Sequence, residues 1–141
     1  MVLSNVLERG DIEVKGSDMS LLCPSSGNWP WCMDIESNLL SRGSIRVHGN
    51  VIPLDTEMWV VANTVRRHID ILGNIGPGNK LVTENMVGGH LRCRKNDDPF
   101  TGDPNYWMSA PHNDKNDDDP SDHHNQCGDL VEPPPPPPPD E

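Results

Sequence analysis

The chain has 141 residues, of which 33% are hydrophobic and 4% aromatic, with 12 glycines and 15 prolines. That allows one small domain with a modest core, and the glycine and proline content disfavours long helices. The net charge of -11 argues against phosphate or nucleic-acid binding, and no segment nears the roughly 20 apolar residues of a membrane-spanning helix.

The charge is unevenly distributed. Residues 1–95 carry ten acidic and ten basic side chains, whereas residues 96–141 carry twelve acids and one base, Lys115. A neutral segment can fold, while an acidic one repels itself and has little to bury. The expected organisation is therefore a β-rich body, 1–95, and an acidic, proline-rich extended tail, 96–141.

In chain order, Met1–Arg9 lacks a basic start and a long apolar run. No secretory signal is read there, and the expected location is the cytoplasm or a virion assembled in it. Residues 9–16 then read R-G-D-I-E-V-K-G, and residues 42–49 read R-G-S-I-R-V-H-G. Both fit R-G-x-I-x-V-x-G at an offset of 33. A third copy runs from Arg67 to Gly73, and G-N-[VI]-x-P follows both the second and third copies at 49–53 and 73–77. Alternating Ile and Val make one apolar face, β-branched side chains suit a pleated surface, and Gly-Asn permits a tight turn. Each copy is thus a short strand followed by a turn.

Between the first two copies lies Cys23 to Cys32, a compact loop holding Trp29 and Trp31. Without a secretory signal its thiols are expected to be reduced. Its two tryptophans are candidate partner-binding anchors, since aromatic side chains are enriched at interfaces. Further strands are expected at Met58–Ala62 and Lys80–Thr83. Short helices over 37–40 or 64–71 compete with the strand reading, although the third repeat fits the latter span better.

His90-Leu91-Arg92-Cys93 and His124-Asn125-Gln126-Cys127 are both H-x-x-C. Imidazole nitrogen and thiolate sulfur are the ligands tetrahedral zinc prefers. A zinc site of His90, Cys93, His124 and Cys127 is therefore one expectation, against two solvated histidines and two unpaired cysteines. Asp114–Asp122 lacks the glycine and closing glutamate of a calcium-binding helix-loop-helix loop. In the tail, Tyr106 and Trp107 are further candidate partner anchors, and Pro133–Pro139 forms a polyproline II rod. No nucleophile elbow, phosphate loop, dinucleotide fingerprint or H-E-x-x-H occurs, so no catalytic residues are assigned.

The I-x-V-x-G-N units resemble the strand-turn units of bacteriophage and other viral structural proteins, including β-helical tail spikes. The residues that carry the resemblance are Ile12, Val14, Gly16, Ile45, Val47, Gly49, Ile69, Ile71 and Gly73. It covers about residues 9–90, while the H-x-H of spike tips is absent. It implies stacked strands in a stiff rod.

The fold expected is mainly β, a small repetitive structure of β-sandwich or β-helix-like type. The function expected is a non-enzymatic structural or assembly component of a large particle, such as a capsid cement, tail or baseplate protein. Its tail is then an interaction arm for other protein subunits, of the same or another kind. The competing reading is a free-standing metal- or ligand-binding β-module whose prolines recruit a proline-recognising partner.

Overall fold

A computed structural model describes residues 2–3, 5–19, 31–102, 104–108, 126–127 and 130–138. The chain winds in coils of three short strands. The first coil contains β1 (Val2–Leu3), β2 (Val6–Leu7) and β3 (Ile12–Lys15). The second contains β4 (Trp31–Glu36), β5 (Leu39–Leu40) and β6 (Ile45–His48), and the third β7 (Glu57–Val61), β8 (Thr64–Val65) and β9 (Ile69–Leu72). The fourth contains β10 (Asn79–Thr83), β11 (Met86–Val87) and β12 (Leu91–Arg94), followed by β13 (Phe100–Thr101), β14 (Asn105–Trp107) and β15 (Leu130–Val131).

Each strand pairs in parallel with its counterpart one coil away. The strands collect into three sheets. The first has the order β1-β4-β7-β10-β13, the second β15-β14-β11-β8-β5-β2, and the third β12-β9-β6-β3. This is a β-solenoid. Of the two architectures expected, the helix-like one is realised, because the repeat copies pair with one another in parallel. The spans 37–40 and 64–71 hold β5, β8 and part of β9 rather than helix. Their apolar residues belong to stacked strands, so pairing overrides the helical spacing.

The interior is built from columns. Ile12, Ile45, Ile69 and Leu91 are in register, as are Val14, Val47, Ile71 and Cys93. Leu7, Leu40, Val65, Val87 and Trp107 form the column of the second sheet. Ile45, Val47, Ile69, Ile71 and Leu91 are fully buried. The R-G-x-I-x-V-x-G copies are therefore the third sheet itself, and Leu91–Arg94 is a fourth copy without its glycine.

Two ladders of amide side chains run along the stack. In one, the backbone N–H and Nδ2 of each asparagine donate to Oδ1 of the asparagine one coil on. It proceeds from Asn5 to Asn38, Asn63, Asn85 and Asn105, over steps of 33, 25, 22 and 20 residues. In the other, Asn50, Asn74 and Asn96 repeat the pattern, and Gln126 accepts from Asn96 at its end. Beyond Asn5, each asparagine Nδ2 also donates to a backbone carbonyl, as Asn63 does to Ile35 and Asn74 to Val47. Buried amides are thereby fully used, which removes the penalty of their burial. The residue before each rung takes the left-handed conformation in Ser37, Gly49, Ala62, Gly73, Glu84 and Lys95.

Lys80 points inward, in register with Met58 and Phe100, and is fully buried. Its Nζ donates to the carbonyls of Gly76 and Gly78 at 2.8 Å each. Burial pushes its pKa down, against the pull of Asp97 and Asp98.

The strands continue past residue 95. β13 pairs with β10, β14 with β11, and β15 with β14. Residues 132–138 follow without sheet pairing and are mostly exposed. The run Asp114–Asp122 and Pro139 lie outside the described residues.

Candidate functional site

The outward face of the third sheet carries the largest set of mutually engaged charged side chains described. Strand alternation turns Glu13, Arg46, Asp70 and Arg92 outward in one register, and Lys15, His48, Leu72 and Arg94 in the next. The first column alternates in sign, which favours neighbouring strands.

The contacts follow that alternation. Asp11 accepts from the Ser44 backbone N–H at 2.7 Å and lies 3.4 Å from Arg46 Nη1. His48 Nε2 meets Glu13 Oε1 at 2.9 Å. The His48 hydrogen bond holds the Glu13 carboxyl below its ordinary pKa. Asp70 receives Arg92 Nε at 3.0 Å and meets His90 Nε2 at 3.1 Å. Burial works to raise the Asp70 pKa, but the His90 hydrogen bond and Arg92 outweigh it, and the net shift is downward.

Two histidines close this cluster. The rings of His68 and His90 stack with centroids 3.8 Å apart and planes 14° from parallel. The His90 backbone N–H donates to His68 Nδ1 at 3.0 Å. His68 therefore serves as an acceptor, and burial followed by the charge of His90 lowers its pKa. Beside the cluster, Gly49 and Gly73 line a shallow depression of about 460 Å3 bordered by His48, Arg92, Arg94 and Lys95. The face thus presents paired charges with a cationic rim at one corner.

The expected site residues are distributed as follows. His90 sits in this cluster, engaged with Asp70. Cys93 and Cys127 do meet, but as a disulfide with Cα atoms 5.4 Å apart, so neither sulfur is a thiolate available to zinc here. His124 and Trp29 lie outside the described residues. Trp31 belongs to the backbone of β4. Tyr106 and Trp107 are half-buried on β14, with Trp107 packed against the core. Among the described residues no group of three or more His, Cys, Asp or Glu side chains is placed to hold a metal.

Sequence reasoning read Asn50 and Asn74 only as turn residues, and did not single out the other ladder asparagines, Asp70 or Lys80. The asparagines were detectable by their recurrence at 22 to 25 residues in the middle coils. Comparisons with protein families, with curated proteins and with solved structures find no match to this chain.

Proposed function

We propose that this chain is a non-enzymatic structural component of a large particle, a virion being the particle named first, with the part of the segment after residue 95 that follows β15 as its interaction arm. The observation that carries the reading is the use made of buried polar groups. The asparagines Asn38, Asn50, Asn63, Asn74, Asn85 and Asn96 all tie one coil to the next. The charged outer face of the third sheet is likewise spent on cross-strand pairing. A stack held in this way is a stiff rod, and successive repeats contact only their neighbours.

A second reading is favoured by one specific feature. Pro134–Pro138 are exposed and outside any sheet pairing, and a proline run favours the polyproline II conformation that proline-recognising grooves accept with little ordering cost. In that reading the solenoid is a free-standing module that recruits such a partner.

Size fractionation of the chain from its native source tests the choice. Recovery in a particle of megadalton class, together with other subunits, is the expected result. Recovery wholly as free monomer or small oligomer sinks the particle reading.

A further inference from the structure

All three sheets end at the first coil, in β1, β2 and β3, and the two ends of the third sheet are treated differently. At the far end, Gln126 receives the Asn96 backbone N–H at 3.0 Å and Nδ2 at 2.8 Å. Its own backbone N–H donates to the Cys93 carbonyl at 2.9 Å. Cys127, fully buried, is bonded to Cys93. That edge is sealed, and the seal is covalent. At the near end, β3 has one neighbour, β6, among the described strands.

The hydrogen-bond phase of β3 fixes which groups are left over. The N–H of Ile12 donates to Ser44 and that of Gly16 to His48, at 3.0 and 3.1 Å. Ile12, Val14 and Gly16 therefore direct their backbone groups at β6. Alternation turns the N–H and C=O of Glu13 and Lys15 the other way, off the sheet. Both residues are exposed. The apolar column is thinner here too, since Val14 is half-buried while Val47 is fully buried.

We propose that the β3 edge is a self-association surface whose partner is β3 of a second copy, paired antiparallel across a two-fold axis. The inference rests on the assembly reading above and names the contact through which assembly begins. Charge and hydrogen-bond phase select one register, centred on Val14 against Val14 of the second copy. In that register Glu13 lies opposite Lys15 of the second copy, and the reverse holds by symmetry. Both members of each such pair have outward-facing N–H and C=O groups, so they form the hydrogen-bonded pairs of an antiparallel ladder. Centring on Glu13 or Lys15 instead sets like charges directly opposite, which is unfavourable.

Sedimentation of the full chain over the micromolar range is the test, with five variants. The wild type is expected as a dimer. Glu13→Lys and Lys15→Glu should each weaken it on the order of tenfold or more, and the double exchange should restore it. Lys15→Pro removes an N–H that none of the described strands uses, so it should abolish the dimer while leaving the circular dichroism unchanged. Val14→Cys should give a covalent dimer under oxidising conditions, since the facing Cα atoms are then about 4.5 Å apart. A wild type that stays monomeric, or a dimer indifferent to the charge exchange and to Lys15→Pro, overturns the proposal. A monomer that still enters a particle overturns this edge and spares the assembly reading. A charge-dependent dimer never found in a particle does the opposite.

Discussion

At the scale of single residues, one asparagine does the work of several ordinary contacts. Asn85 accepts from Asn63 through both N–H and Nδ2, and donates to Asn105 and to the carbonyl of Val60. Asn85→Ala leaves the buried Asn63 backbone N–H without its acceptor and takes a donor from the Val60 carbonyl, while Asn105 keeps only the backbone N–H of residue 85. The expected cost is about 2–4 kcal/mol, read by denaturant unfolding, given roughly 1–3 kcal/mol per orphaned buried group. Asn5 is exposed at the open end of the ladder, so Asn5→Ala is expected to cost under about 1 kcal/mol. Equal costs at the two positions would show that the ladder is not what stabilises the stack.

His68 supplies the residue-scale pH dependence. Its Nδ1 must stay unprotonated to accept from His90, and its folded pKa lies below the ordinary 6.5. Below about pH 6.5 the unfolded chain takes up a proton that the folded chain resists, so stability falls as pH drops through that value. The charged groups around it are His90, Asp70, Arg67 and Arg46. The wild-type denaturation midpoint should therefore drop between pH 7.5 and pH 5.5, and His68→Asn should flatten the drop. Asp70 acts in a lower window. Its depressed pKa gives stability that is present above its unfolded value of about 3.8 and is lost as pH falls through the folded value.

At the scale of elements, the strands of the third sheet were legible because their inward positions are filled by Ile and Val and their turns by Gly-Asn. The same turn occurs at the other corner, but there Ser37, Ala62 and Glu84 take the left-handed conformation. No glycine marks it, and the steps between its asparagines shrink from 33 to 20 residues, so the first ladder stayed hidden. Lys80 was legible as a strand residue and misleading as to face. A lysine in alternation reads as wet, yet it occupies an apolar column because two carbonyls of the 76–78 turn converge on its amine. The disulfide was illegible for a different reason. H-x-x-C suits zinc as well as sulfur pairing, and only the return of Gln126 to Asn96 brings Cys127 to Cys93. Cys127→Ser is expected to lower stability by about 2–4 kcal/mol, given the sequence separation of 34. Unfolding with and without reductant checks it, since reductant should reproduce the loss in the wild type and add little in the variant.

At the scale of the whole molecule, the contacts are dominated by neighbouring coils, so stability is nearest-neighbour in kind. Hydrogen exchange should then be graded along the axis. Amides of β6, β7 and β9, with a coil on either side, are expected to exchange slowest, and those of β2 and β3 faster. A single exchange rate across all coils would mean that the stack opens only as one unit. The net charge is also resolved at this scale. Sequence reading placed it after residue 95, and the described part of that segment contributes β13 to β15 to the sheets. The boundary at 95 therefore falls inside a coil, because a composition shift marks charge and not the end of strand pairing.

The amide ladders have a consequence for length. Every rung offers donors to the coil after it and acceptors to the coil before it, so the pattern has a direction and no built-in count. A duplicated coil copied from residues 79–100 meets the same chemistry above and below, and extends the axis by about 4.8 Å, the spacing between neighbouring strands. The molecule is in this sense a ruler graduated in coils, whose reach is set by how many are threaded before Gln126 and Cys127 close the stack.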